Sequence, residues 1–146
     1  MTGFDARQEA LLRLVGEEDG GVLVTLGKDG RPQLSNVNHF YYPEERLVRV
    51  SVTADRAKTR NLLRDSRASY HVTSRDRWAW TVVDGTADLT PVAARPDDAT
   101  VEELITLYRD VQGEHPDWDD YRAAMVRDRR LVVRLHVEHV YGQLRA

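Results

Sequence analysis

Gly30-Arg31-Pro32-Gln33-Leu34-Ser35-Asn36-Val37-Asn38 is the stretch from which the architecture of this chain unfolds. Lys28-Asp29 precedes it, and Asp29-Gly30 marks a hairpin turn, since Asp-Gly readily supplies the positive φ angles that a tight turn demands. An extended segment follows, expected to run as one strand from Gln33 to about Tyr42. A strand that lines a core alternates apolar with polar side chains. Here Gln33 and Ser35 share one face while Asn36 and Asn38 share the other, so both faces carry hydrogen-bonding groups. Amides fit a sheet poorly by propensity, yet they suit the alternating donors and acceptors along the edge of a heteroaromatic ring. An edge strand whose polar groups merely meet water accounts for the same pattern.

Working outward, Val22 to Leu26 reads as the strand before the hairpin, and Leu47 to Thr53 as the strand after a turn at Pro43-Glu44-Glu45. In the latter Val48, Val50 and Val52 share one face, and Ser51 on the other continues the polar patch. Asp5 and Gln8 form the capping box of a first helix with Phe4, Leu11, Leu12 and Val15 near one face. Asp55 introduces a short helix. Ala68 to Thr73 and Trp78 to Leu89 are two further strands, with Gly85 a bulge or bend in the second. Thr100 and Glu103 predict a second capping box, opening a helix that Gly113 ends. Asp117 to about Arg127 is a further helix, and Leu131, Val133, Leu135 and Val137 alternate as a last strand. Strands grouped in hairpins, with helices between the groups, predict an α+β antiparallel barrel rather than an alternating parallel sheet.

The short helix begins Asp55-Arg56-Ala57-Lys58-Thr59-Arg60-Asn61. A helix N-terminus carries partial positive charge, so each cation in the first turn is unfavourable by roughly 0.3–1 kcal/mol. Arg56, Lys58 and Arg60 crowd this turn. A phosphate on the free N–H groups offsets them, with the Thr59 hydroxyl as a further donor; pairing with Asp55 and Asp65 on a solvated surface does so too. No glycine-rich phosphate loop or dinucleotide fingerprint is present.

Length and composition narrow the remaining classes. The 146 residues predict a single domain, 1–146. With no cysteine, disulfide scaffolds, thiolate metal sites and thiol nucleophiles are excluded. A net charge of -3 with both signs abundant does not point to nucleic acid. No apolar run reaches the length of a membrane span and no export signal is evident, so a cytoplasmic protein is expected. Trp78 and Trp80 lie on one strand face, where they cover a planar ring, a neighbouring subunit or the core. Trp118, Tyr121 and Met125 keep helical spacing. His136 and His139 are expected on opposite faces of their strand, which speaks against a shared metal. His39 is read as a hydrogen-bonded structural histidine with access to a substrate as the alternative.

Gly30 to Val37, then Val50-Ser51-Val52, then Arg56-Ala57-Lys58-Thr59-Arg60-Asn61-Leu62 resemble the split β-barrel flavin and deazaflavin oxidoreductases, the pyridoxamine-phosphate-oxidase-like superfamily. Asp97-Asp98-Ala99-Thr100-Val101-Glu102, Gly113 to Arg122 and His139-Val140-Tyr141-Gly142 resemble its actinobacterial branch that uses coenzyme F420, a deazaflavin. The resemblance implies a homodimer of six- to seven-stranded split barrels with the cofactor between subunits, and hydride transfer to an activated C=C or C=N bond of a small organic substrate. It implies Arg56 and Lys58 on the cofactor phosphate with Thr59 nearby, and Pro32, Gln33, Ser35, Asn36 and Ser51 along the ring and ribityl chain. Trp78 and Trp80 would close the site from the partner. No catalytic acid stands out; the product proton has water, His39, Tyr41 and Tyr42 as candidate sources. FMN with pyridoxamine-type oxidase chemistry, and a non-catalytic deazaflavin or tetrapyrrole carrier, are the alternatives, the former weakened by the short sequence after Gly142.

Overall fold

The computed structural model describes residues 3–145. Helix α1 (Ala6–Glu17) starts at the expected capping box, Asp5 accepting from the Gln8 N–H while Gln8 reaches back to the Asp5 N–H. Strands β1 (Gly20–Leu26) and β2 (Pro32–Asn38) form the predicted hairpin, with Gly30 at φ 84° in its turn. Next come β3 (Phe40–Tyr42), β4 (Leu47–Thr53), helix α2 (Ala57–Arg64), β5 (Arg67–Thr73) and β6 (Trp80–Leu89). Helices α3 (Ala99–Gln112) and α4 (Trp118–Arg127) precede the long strand β7 (Arg130–Gln143).

The seven strands form one antiparallel sheet in the order β2-β1-β5-β6-β7-β4-β3. The expected single strand from Gln33 to Tyr42 is therefore two, and they are the opposite edges of the sheet. His39 is the single residue between them. The chain leaves one edge and enters the other there, so the sheet curls back on itself and β2 comes into contact with β4. This is the α+β split barrel that the sequence predicted.

His39 holds the corner from inside. Its ring contacts the Val15 carbonyl at 2.7 Å and the Tyr70 hydroxyl at 2.6 Å, and both side chains are fully buried. With the Nε2–H donating to Val15, Nδ1 is the acceptor for Tyr70, which defines a neutral tautomer. Burial pushes the His39 imidazole below the usual histidine range and lifts the Tyr70 phenol above its own. The structural role expected for His39 is the one observed.

Helix α1 fills the curl. Leu11, Leu12, Leu14 and Val15 are buried, and the Leu11 carbonyl accepts a hydrogen bond from Thr81 at 2.7 Å. At about 1.5–3 kcal/mol per buried aliphatic side chain, this face fixes the helix against the inner surface. Val48, Val50 and Val52 of β4 point into the same core, and Arg49, Ser51 and Thr53 point outward. A second apolar cluster, with Val101, Leu104, Ile105, Tyr121 and Met125, packs α3 and α4 on the outer side of β7 through Val132. Helix α3 is capped by Asp98, not by the predicted Thr100, whose hydroxyl donates to the Pro91 carbonyl. Glu103 is likewise no cap partner. It accepts from Arg49 and Arg134 and ties the helix to β4 and β7.

The register of β6 against β7 shifts between Asp84 and Gly85, at the bend foreseen for Gly85. Asp84 faces His139 and Gly85 faces Val137, leaving Glu138 as the extra residue. A Cβ on Gly85 would lie 1.8 Å from the His136 carbonyl oxygen, so glycine is required at this approach. The bulge overturns the expectation for the two histidines. His136 and His139 share the exposed outer face, each beside its own carboxylate, Asp88 and Asp84. No described helix is long and apolar enough to cross a membrane.

Candidate functional site

The N-cap position of helix α2 is Arg56, one residue after the Asp55 expected to introduce it, and no side chain caps it. Lys58 stands in its first turn, which contains no acidic residue. Across from this helix start, Arg130 opens β7 and donates to the Ser51 hydroxyl at 3.3 Å. Among the described residues none of Arg56, Lys58 and Arg130 belongs to an ion pair. All three line one cleft of about 520 Å³. Partial burial, then the charges of Arg56 and Arg130, hold the Lys58 ammonium below the ordinary lysine range. An anion in the cleft would relieve that strain.

The polar strand supplies another wall. Asn36 and Asn38 on the outer face of β2, and Ser51 and Thr53 on the outer face of β4, line the same cleft. The Thr53 hydroxyl oxygen is buried beside Asp55, whose carboxyl it holds below the usual carboxylate range. The far wall is apolar, built from Leu104, Leu107 and Val111 of α3 and Met125 of α4. Three unpaired cations, free amides and an apolar wall fit a phosphorylated heteroaromatic cofactor. Asp128 also lines the cleft, with its carboxylate 3.5 Å from Arg127.

The structure thus gathers Asn36, Ser51, Arg56 and Lys58 out of the residues predicted from sequence. Gln33 and Ser35 face the other way. Gln33 accepts from the buried Asn61 amide, and Ser35 stands opposite core Leu23 in the ladder. Pro32 is the exposed first residue of β2 and does not line the cleft. Thr59 is buried, and its hydroxyl donates to the Thr53 carbonyl at 2.7 Å, bracing the turn instead of facing a ligand. Trp78 is not in a strand. It is 69% exposed in the β5–β6 loop, which Asp76 ties down through Ser74, the Trp78 N–H and Arg145. Arg130 was not foreseen, although an Arg-Arg pair where a helix gives way to a strand was available as a signal.

Asn36, Val37 and Asn38 also border a second hollow on the uncovered outer face of the sheet, with Val22, His71 and Thr73. It continues past Ser74 and Arg77 to Trp80. Trp80 packs edge-on to Tyr141 and at a tilt to His71, each with ring centroids 6.0 Å apart. The proton sources expected from sequence are all elsewhere. His39 and Tyr41 are buried, and the Tyr42 hydroxyl donates to Asp110, with burial and that bond raising its pKa.

A curled antiparallel barrel with a cationic cleft beside its edge strand defines the split-barrel class. The family model described as pyridoxamine 5'-phosphate oxidase matches residues 7–144, and the chain belongs to that family. Among solved structures, a conserved hypothetical protein from Mycobacterium tuberculosis is similar at 19% identity and TM-score 0.71, over 97% of this chain and 85% of that one. An F420 reductase is similar at 20% identity and TM-score 0.68, over 94% and 98%. A haem storage protein from Vibrio cholerae is similar at 14% identity and TM-score 0.68, over 93% and 94%. At these identities the likeness is one of fold.

Proposed function

We propose that this chain is an oxidoreductase that uses coenzyme F420 and passes a hydride from the reduced deazaflavin to an activated C=C or C=N bond of a small organic molecule. The observation that carries the reading is the convergence of unpaired Arg56, Lys58 and Arg130 beside the outward amides of Asn36 and Asn38. The cations hold the phosphate, and the amides and Ser51 orient the ring. The bound coenzyme supplies the two-electron chemistry. The resemblance of the sequence to the deazaflavin branch and the similarity to an F420 reductase support this choice among cofactors.

The working unit we propose is a homodimer of single-domain subunits. Its support is the uncovered outer face of β2, β1, β5 and β6, where Leu34 is 62% exposed and Val22 and Trp80 line open hollows. A second copy seated on the exposed Leu34 would roof these hollows without filling them, leaving room for a small molecule, and bring its Trp78 toward the cleft. Light scattering at micromolar concentration is expected to return twice the chain mass.

The deciding experiment is a parallel fluorescence titration with coenzyme F420 and with FMN at fixed salt. Preference for the deazaflavin supports the reductase. Preference for FMN transfers the proposal to flavin-dependent oxidase chemistry on the same anchor. Binding of neither removes the redox reading. Binding without oxidation of the reduced coenzyme by any acceptor favours a carrier.

A further inference from the structure

A reductase needs a proton as well as a hydride, and none of the residues first considered for it faces the cleft. The outer face of the sheet holds another. His71 pairs with Val22 in the ladder, and Val22 pairs with Asn36, so all three share one face two strand spacings across. That separation is about 9.5 Å. The two hollows meet at Asn36, Val37 and Asn38, so they form one trough from the cations at Arg56 and Lys58 to Trp80. A ligand with its phosphate on the cations and its ring along β2 points its far end at His71.

The surroundings of His71 suit a planar guest. Val22 forms an apolar patch beside it, and Trp80 offers an aromatic wall. The Thr73 hydroxyl lies 3.4 Å from its Nε2 and 3.5 Å from its Nδ1. Arg77, from the β5–β6 loop, is the charged residue among the described residues lining this end. It holds a left-handed φ of 68°. Among the described residues no carboxylate lines it; an acidic row lies two residues along β5 at Ser69, where Asp84 stands with its partner His139.

Resting on the deazaflavin reading above, we propose that Val22, Thr73 and Trp80 form the subsite of a planar conjugated carbonyl or imine, and that His71 is its proton donor. Hydride from the reduced coenzyme forms a C–H bond at the β carbon of such an acceptor. The C=C π pair shifts toward the carbonyl, and the α carbon takes its proton from the protonated His71 ring; in a cyclic imine the hydride goes to the C=N carbon, the π pair goes to nitrogen, and that nitrogen takes the proton. The acceptor gains two electrons and two hydrogens, the coenzyme loses two electrons, and water reprotonates the imidazole. Histidine suits this role because its charge changes within the physiological range.

The test compares wild type with His71→Gln and His71→Asn, using cyclohexenone and a panel of cyclic imines. The His71 ring NMR signals are expected to shift when acceptor is added to the coenzyme-loaded protein. Coenzyme affinity of both variants is expected to stay within about two-fold of wild type, with turnover down roughly 100-fold. In D2O wild type should place deuterium on one face of the α carbon, and the variants on both. Equal turnover with deuterium still placed on one face in either folded variant overturns the proposal while leaving the cofactor reading intact. So does a coenzyme-bound wild type that reduces no member of the panel or shows no change at His71. Failure of wild type to bind the coenzyme overturns both.

Discussion

Replacing Lys58 by alanine probes the phosphate anchor most directly. The ammonium shares its cleft with Arg56 and Arg130 and has no carboxylate partner among the described residues. A charge-assisted hydrogen bond contributes about 1.5–3 kcal/mol. Solvent reaches this cleft, so the lower part of that range applies, about 1.5–2 kcal/mol. At 1.4 kcal/mol per decade, coenzyme affinity is expected to fall roughly ten- to thirty-fold. Lys28→Ala, in the hairpin turn away from the cleft, controls for general charge and should leave affinity within about two-fold. Arg130→Gln, which keeps a donor near Ser51, should cost about ten-fold. Fluorescence titrations at low and high salt supply the readout, and the gap between wild type and Lys58→Ala should narrow as salt screens the phosphate. Equal affinities for Lys58→Ala and Lys28→Ala would refute the assignment, whatever ligand is used.

The remaining predictions concern the scaffold. Tyr70→Phe leaves the buried His39 Nδ1 without its donor, which costs about 2 kcal/mol and lowers the melting midpoint by roughly 6 °C in a calorimetric scan. The His39 pKa is depressed by folding, so the unfolded chain binds the extra proton; stability is complete above the ordinary histidine pKa of about 6.5 and declines as pH falls below it. Denaturant titrations between neutrality and mild acid should show that decline, and a flat profile would contradict the buried neutral imidazole. Glu103 is held below the usual carboxylate range, first by its hydrogen bond to Arg134 and then by Arg49. Its contribution is present above about pH 4.5 and is lost as pH falls through the depressed value. Glu103→Gln is expected to destabilise by about 2 kcal/mol in urea titrations. Gly85→Ala should cost about 3 kcal/mol by the same assay, because its methyl meets main chain and not a movable side chain.

Much of this architecture was legible because it is local. The capping box of α1, the Asp-Gly hairpin, the alternation of Val48, Val50 and Val52, and the unmatched cations before Leu62 each depend on neighbours within a few residues. The break at His39 was not legible, since Phe40-Tyr41-Tyr42 continues the extended pattern and the switch of edges is decided by Val15 and Tyr70, far along the chain. The α3 cap was misassigned for a related reason. Thr100 and Glu103 have the spacing of a capping box, but Glu103 is drawn to Arg49 and Arg134 across space and Asp98 takes the cap. For the site, the residue types of β2 were informative while their directions were not. Alternation says that Gln33 and Asn36 oppose each other, but only the packing of α2, through Asn61, says which of them faces in.

The extra residue at Glu138 divides β7 into two lengths of opposite parity. Odd-numbered Leu131, Val133 and Leu135 point to the core on one side of it, and even-numbered Val140 does so on the other, leaving Tyr141 on the outer face beside Trp80. Substituting Glu138 removes little beyond its contact with the Thr86 hydroxyl. Deleting it would close the bulge and leave the strand in phase, with His139 outward, Val140 inward and Tyr141 outward, so what the extra residue supplies is a local bend. The residue count at this one point, more than the identity of any side chain around it, sets the bend of β7 beside Gly85 and with it the angle at which Tyr141 meets Trp80. Loss of this one residue would therefore straighten β7 and re-aim one wall of the acceptor end of the trough, and leave the cationic end as it was.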